Sequence, residues 1–105
     1  MISLQHIDLL SWQSGLKYGK DENGIAVVFD RVRRKNVRAT PEEIVRQLWI
    51  IYFLENLKMN PKLIAVERSF MIQGRQRRFD LVIFDKTAQP ILLAEFKAPE
   101  VQVTQ

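Results

Sequence analysis

The stretch RRFDLVIFDKTAQPILLAEFKAP, residues 77–99, decides the fold. It contains two apolar runs rich in strand-forming residues, and the polar segment KTAQ between them is typical of a turn. A four-residue loop closed by Asp85 and Pro90 would pair the runs as an antiparallel hairpin, with Val82 opposite Leu93 and Phe84 opposite Ile91. Both faces of this hairpin are apolar over most of their length, which predicts central strands covered on two sides.

Three charged side chains interrupt these apolar strands. The same register places Asp80 opposite Glu95, with Lys97 and Arg78 one step further along on the same face. Two carboxylates about 5 Å apart repel each other, whereas a divalent cation between them reverses the sign of the interaction. Hard oxygen ligands suit Mg²⁺ or Mn²⁺, and Lys97 could orient or deprotonate a water molecule there.

The alternative is a partly buried cluster of salt bridges in which Arg78 and Lys97 neutralise the two acids. An acid pair and a lysine that converge inside apolar strands favour a site over that alternative. The prediction depends on the register, because a slip of one residue would move Asp80 to the opposite face.

The segments before residue 77 predict the rest of the fold. LIAVERSFMI, which leads to a turn at QG (73 and 74), completes an antiparallel three-stranded meander over about residues 63–98. A core helix is predicted over 41–58, with Thr40 as N-cap and Glu43 three residues later in a capping box. A basic β-hairpin is predicted over 25–40. The class is therefore mixed α/β, of the α+β kind, with the meander at the centre of a mixed sheet.

Length and composition limit the possible domain organisation and the kinds of site. The 105 residues predict a single domain, with residues 1–24 as an N-terminal extension. The absence of cysteine excludes disulfides and thiolate metal sites and fits a cytoplasmic protein. The longest apolar run, LWIIYFL at 48–54, is too short to span a membrane, and no secretion signal is recognisable.

The net charge of +4 is concentrated in two clusters, RVRRKNVR at 31–38 and GRQRR at 74–78. Such clusters attract a phosphate backbone, although a solvated basic surface is an equally plain interpretation. The residues predicted to bind DNA are Arg31, Arg33, Arg34, Lys35, Arg38, Arg75, Arg77 and Arg78.

RFD at 78–80 followed by AEFKAP at 94–99 resembles the D…ExK signature of the PD-(D/E)xK nuclease superfamily. More narrowly, residues 25–105 resemble the N-terminal nuclease domain of type I restriction enzyme R subunits, in its small standalone bacterial form. The resemblance implies a restriction-endonuclease-like core that hydrolyses DNA with Mg²⁺ or Mn²⁺. By position, Asp80, Glu95 and the backbone carbonyl of Phe96 match the metal ligands, and Lys97 matches the active-site lysine.

Glu43 matches an acidic residue that the superfamily often carries on its first core helix, where the alternative role is the capping box. Phe79 replaces the proline that gives the superfamily its name. Relatives continue beyond the position of Gln105 into a helix with a Gln-x-x-x-Tyr motif, which this sequence does not contain. A sheet face left uncovered by that helix predicts self-association.

The predicted function is metal-assisted hydrolysis of a DNA phosphodiester. The sequence has no Gly-x-x-x-x-Gly-Lys-Ser/Thr motif, so an ATP-driven motor and sequence recognition would come from separate subunits. Two other functions stay open at this point: a non-catalytic nucleic-acid-binding module that keeps the fold, and an assembly domain that binds neither DNA nor metal.

Overall fold

The computed structural model describes residues 8–96, which fold into two three-stranded antiparallel sheets and one α-helix. The first sheet comprises β1 (Tyr18–Lys20), β2 (Ala26–Asp30) and β3 (Lys35–Arg38), and the second comprises β4 (Ile64–Ile72), β5 (Arg75–Phe84) and β6 (Pro90–Ala94). Between them lies α1 (Pro41–Ile51), which continues as a π-helical turn at Tyr52–Asn56; 3-10 helices span Leu9–Gly15 and Pro61–Leu63. The α+β class is confirmed, but the hairpin and the meander belong to separate sheets.

Helix α1 begins where its sequence signals place it. The Thr40 side chain accepts a hydrogen bond from the Glu43 N–H at 3.1 Å, and Pro41 occupies the first turn. The other half of the capping box is absent, because the Thr40 N–H donates to the Arg38 carbonyl instead. Within residues 8–96, no helix has the length and apolar character needed to cross a membrane.

Strand β1 was not predicted, because YGK is short and all three of its residues are exposed. It pairs with the edge of β2, with Tyr18 opposite Val28. The 3-10 helix before it packs closely on α1: a Cβ at Gly15 would lie 3.1 Å from Ile51 Cγ2. A side chain at Gly15 would therefore press on Ile51 and require it to shift.

The meander matches the sequence pattern closely. Gln73 and Gly74 both have positive φ, 52° and 78°, as a two-residue type I′ hairpin turn requires. The predicted pairing of Val82 with Leu93 is confirmed. The predicted pairing of Phe84 with Ile91 is wrong, because a register shift after Ile83 brings Phe84 opposite Pro90.

The core lies between the second sheet and α1. Leu81 and Ile83 of β5 pack with Ile50 and Phe53 of the helical segment, and all four are at most 1% exposed. Strand β5 is buried on both faces, since Val82 is also fully buried. Strand β6 is not: Ile91 is 56% exposed and Leu93 42%, so the prediction of two covered faces is wrong for this edge strand.

Candidate functional site

Asp80 lies in β5 at the point where its pairing with β6 ends. The last pair between the two strands is Leu81 with Ala94, and Asp80 is the residue next to Leu81 beyond the end of this pairing. Beyond that pair, the Asp80 side chain connects the two segments: its Oδ2 accepts a hydrogen bond from the Phe96 backbone N–H at 2.7 Å. This hydrogen bond brings Phe96 to Asp80. The predicted pair of Asp80 with Glu95 is not part of the ladder, because β6 ends at Ala94.

Glu95 is held by an arginine. Its Oε1 accepts a hydrogen bond from Arg77 Nε at 3.1 Å and lies 3.0 Å from Arg77 Nη2 in an ion pair, and its side chain is 43% exposed. The sequence alternative of a salt-bridge cluster named Arg78 and Lys97 as partners, whereas the structure uses Arg77. Glu95 and Phe96 also line an apolar cavity of about 270 Å³ with Trp49 and Phe53.

Lys97 lies outside the described residues, so its predicted place beside the two acids stays a prediction. Among residues 8–96, no group of three or more His, Cys, Asp or Glu side chains is arranged to hold a metal ion. The role of Asp80 and Glu95 as metal ligands stays a prediction; Mg²⁺ commonly takes only one or two protein carboxylates together with water and phosphate oxygens.

Glu43 is buried at 8% exposure, and its carboxylate pairs with cations instead of completing the predicted capping box. Oε1 accepts from Arg33 Nη2 at 2.9 Å, and Oε2 accepts from Gln47 Nε2 at 3.0 Å. Oε2 also lies 3.6 Å from Arg46 Nε. A role for Glu43 as a metal ligand stays a prediction and would require this ion pairing to be given up.

Glu67, which has no function assigned from sequence, connects α1 to the meander. It would lie opposite Asp80 in the β4–β5 register, but the ladder skips this pair and Glu67 has a φ of +56°. Its carboxylate lies 3.6 Å from Arg46 Nη1 and 3.0 Å from Arg78 Nη2. A left-handed φ costs a non-glycine residue about 1–3 kcal/mol, so the surrounding contacts must hold it in place.

These contacts form a continuous series, which we call the ion-pair chain, through Asp30, Arg33, Glu43, Arg46, Glu67 and Arg78. It links the first sheet to α1 and α1 to the second sheet. Arg46 is its least satisfied member, because its Nε and Nη1 are buried and form no hydrogen bond with described residues. The sequence signal that could have revealed the chain is the alternation of arginines and acids at 30, 33, 43 and 46.

Asp30 fixes the β2–β3 turn at the start of this chain. Oδ1 accepts from the Val32 and Arg33 backbone N–H groups at 2.8 and 3.0 Å, and Oδ2 pairs with the Arg33 guanidinium. Burial raises the pKa of Asp30, but the hydrogen bonds and charge of Arg33 together with the Val32 N–H outweigh it and hold the pKa below its ordinary value.

The Asp30→Asn variant should show this pKa shift as a pH-dependent loss of stability. A depressed carboxyl pKa stabilises the fold above the unfolded-state pKa of about 4, and this stabilisation is lost as pH falls through the folded-state pKa. We expect the substitution to cost about 1.5–3 kcal/mol at pH 7, in the range of hydrogen bonds to charged groups, and less at pH 3. Urea unfolding at both pH values measures this; an equal cost at both would contradict it.

The structure divides the residues predicted to bind DNA into free and paired groups. Arg34, Lys35, Arg38 and Arg75 are exposed and belong to none of the ion pairs between described residues. Arg31 pairs with Glu55 at 2.5 Å, and Arg33, Arg77 and Arg78 are paired as described above. DNA binding by any of them stays a prediction; the paired arginines would have to exchange a carboxylate for a phosphate.

Comparison with known proteins gives one result. Residues 41–105 match the family model described as the N terminus of type I restriction enzyme R proteins. No curated protein and no solved structure matches the chain. The matched range includes α1 and the whole meander, with Asp80 and Glu95, and excludes the first sheet.

Proposed function

The chain belongs to the family of type I restriction enzyme R protein N termini, and from this premise we propose that it is a metal-dependent endonuclease domain acting on DNA phosphodiesters. The observation that carries the proposal is the hydrogen bond from the Phe96 N–H to Asp80, which supports a site where the segment after β6 meets β5. Among the described residues, this hydrogen bond uses one Asp80 oxygen and Arg77 uses one Glu95 oxygen, so each acid keeps a second oxygen for a cation.

In this proposal, Asp80, Glu95 and the Phe96 carbonyl would hold Mg²⁺ or Mn²⁺. When bound, such a cation neutralises charge on the scissile phosphate and lowers the pKa of water. Lys97 would donate a hydrogen bond to the attacking water or to a phosphate oxygen, which stabilises charge that develops during in-line attack. Asp80 is positioned by the rigid β5 strand, so its carboxylate needs little reorganisation.

Arg77 has a defined part in this proposal. Its guanidinium now neutralises Glu95, and a cation at Glu95 would face an unfavourable positive neighbour. A DNA phosphate is an alternative partner for the same guanidinium, and guanidinium–phosphate pairs are commonly bidentate. Binding of DNA would thus move Arg77 onto the backbone and free Glu95 at the same time.

Nicking of supercoiled plasmid DNA tests the proposed activity. We expect the wild type to nick in Mg²⁺ or Mn²⁺ and not in EDTA. Asp80→Ala and Lys97→Ala should each lower the rate by about 100-fold or more, the effect of removing one electrostatic contributor to a transition state. Glu42→Ala is the control, because Glu42 is an exposed acid on α1. Nicking that survives in both variants would contradict the proposal.

The ion pair between Arg77 and Glu95 favours a second candidate, a nucleic-acid-binding module that does not cleave. In that case Glu95 is a structural partner of Arg77 and has no metal to hold. DNA binding in EDTA, together with no nicking in any divalent metal, is the result that selects this candidate.

The family and the exposed strand β6 both suggest protein partners. We propose that separate subunits supply the motor and the sequence recognition of a restriction system. The exposed Ile91 and Leu93 on the edge strand support self-association or a covering partner at this side of the meander.

A further inference from the structure

A cationic groove lies where β4 begins and β5 ends. Two adjoining cavities of about 560 and 420 Å³ share Lys62 and Ile64 as lining residues. Their cationic lining side chains, apart from Arg31, come from separate segments of the chain, and we call them the groove cations: Arg34, Lys62, Arg68 and Lys86. Arg31 also lines the smaller cavity, but it is neutralised by Glu55.

The groove cations are available for a ligand. All four are exposed, and none belongs to an ion pair between described residues. The guanidinium carbon of Arg68 lies 5.8 Å from the centre of the Phe84 ring, a cation–π contact that keeps its charge at the groove wall. The concave shape concentrates this positive field, which raises the local concentration of anions.

The one acid among the lining residues offsets only part of this charge. Asp85 Oδ1 accepts from the Thr87 N–H, the Thr87 hydroxyl and the Gln89 N–H at 2.7–3.0 Å. These hydrogen bonds, led by the Thr87 hydroxyl, hold the pKa of Asp85 below its ordinary value. The carboxylate is therefore ionised and held in its own turn, and four cations face one negative charge, so the lining stays cationic.

The backbone that carries three of these cations is fixed by hydrogen bonds. Arg34, at a φ of +56°, donates its N–H to the Asp30 carbonyl at 2.8 Å. The Lys62 N–H donates to the Asn60 side chain at 2.9 Å, and Lys86 lies in the Asp85 turn. A ligand would have to order only the side chains, because the turns are already formed.

Strand geometry relates the groove to the proposed active site. Asp80, Val82 and Phe84 alternate onto one face of β5, and Ala65, the cross-strand partner of Val82, lines the groove together with Phe84. Four residues of strand separate Asp80 from Phe84, a distance of about 13 Å. This separation corresponds to a few nucleotides; because Val82 between the two residues is fully buried, a backbone that reaches both would pass outside the residues that cover it.

We propose that this groove binds the phosphodiester backbone of the DNA strand that passes over Asp80, away from the cleaved bond. The inference rests on the proposed function for the identity of the polyanion, but binding there requires neither metal nor cleavage. Of the four groove cations, only Arg34 lies in the two basic clusters recognised from sequence. The other three, Lys62, Arg68 and Lys86, are isolated in the chain and come together only in the fold.

Fluorescence anisotropy with labelled 20-nucleotide single-stranded and duplex DNA, in EDTA at several salt concentrations, tests the groove. The test variant is Lys62→Ala/Lys86→Ala, and the control is Lys17→Ala/Lys20→Ala, which removes the same charge from exposed positions at β1. We expect about tenfold weaker binding in the test variant and less than a twofold change in the control. The magnitude of the slope of log affinity against log salt should fall by about 1.8 for duplex and about 1.4 for single strands.

Equal weakening in the two double variants would overturn the proposal, because it would show a general effect of net charge. Competition by poly-glutamate as strong as that by DNA would also overturn it, because the groove would then recognise acidic protein equally well. Lys62→Arg/Lys86→Arg should restore binding. If the wild type binds DNA with this pattern but does not nick plasmid DNA in Mg²⁺ or Mn²⁺, the proposed activity fails and the groove proposal stands.

Discussion

Glu43→Ala is expected to lower the free energy of unfolding by about 3–5 kcal/mol, as removing one partner of a buried ion pair does. The carboxylate is 8% exposed and contacts Arg33, Arg46 and Gln47. Without it, Arg46 would be buried with Glu67 as its one remaining acidic partner among the described residues, at 3.6 Å. Urea unfolding followed by circular dichroism at neutral pH measures the loss.

Glu42→Ala is the matched control for this prediction. Glu42 is the adjacent residue in the first turn of α1 and is exposed, so it loses only a favourable interaction with the helix dipole, about 0.3–1 kcal/mol. A cost for Glu43→Ala no greater than that of Glu42→Ala would show that the ion-pair chain does not hold the fold together.

Leu81→Ala is expected to cost about 2–5 kcal/mol, the range for truncating a fully buried leucine. Leu81 is 0% exposed at the centre of β5 and packs between the sheet and the helical segment. Thermal or urea unfolding measures the cost. Because the apolar cavity of about 270 Å³ already touches Leu81, the truncation enlarges an existing void.

Leu93→Ala is the control on the neighbouring strand. Leu93 is paired with Val82 but is 42% exposed, so the same truncation should cost less than about 1 kcal/mol. Similar losses at the two positions would mean that β6 is covered on its second face, by self-association or by another part of the protein.

The sequence predicted the features that depend on local interactions. The cap at Thr40, the turn at Gln73 and Gly74, and the pairing of Val82 with Leu93 all appear as expected, because capping, positive φ and alternation act within or between adjacent segments. Strand β1 could not be predicted in this way, since three exposed residues carry no apolar period and owe their conformation to pairing with β2.

The candidate site was likewise predictable only where local patterns control it. The hydrogen bond from Phe96 to Asp80 is consistent with the predicted pairing of β5 with β6, whereas the partners of Glu43 were not predicted. The Thr40–Glu43 spacing indicated a capping box, but the Glu43 carboxylate pairs with Arg33, which lies in the β2–β3 turn, distant in sequence. Glu67 had no signal at all, because a left-handed φ at a strand glutamate is imposed by tertiary contacts with Arg46 and Arg78.

The ion-pair chain also bears on the order of folding. The β2–β3 hairpin and the meander join residues close in sequence and can form within microseconds, whereas Asp30, Glu43 and Glu67 meet only after both sheets have docked on α1. Contacts made after the transition state affect unfolding more than folding. The stability lost in Glu43→Ala should therefore appear as faster unfolding with an almost unchanged folding rate. The ion-pair chain would then slow the unfolding of the domain.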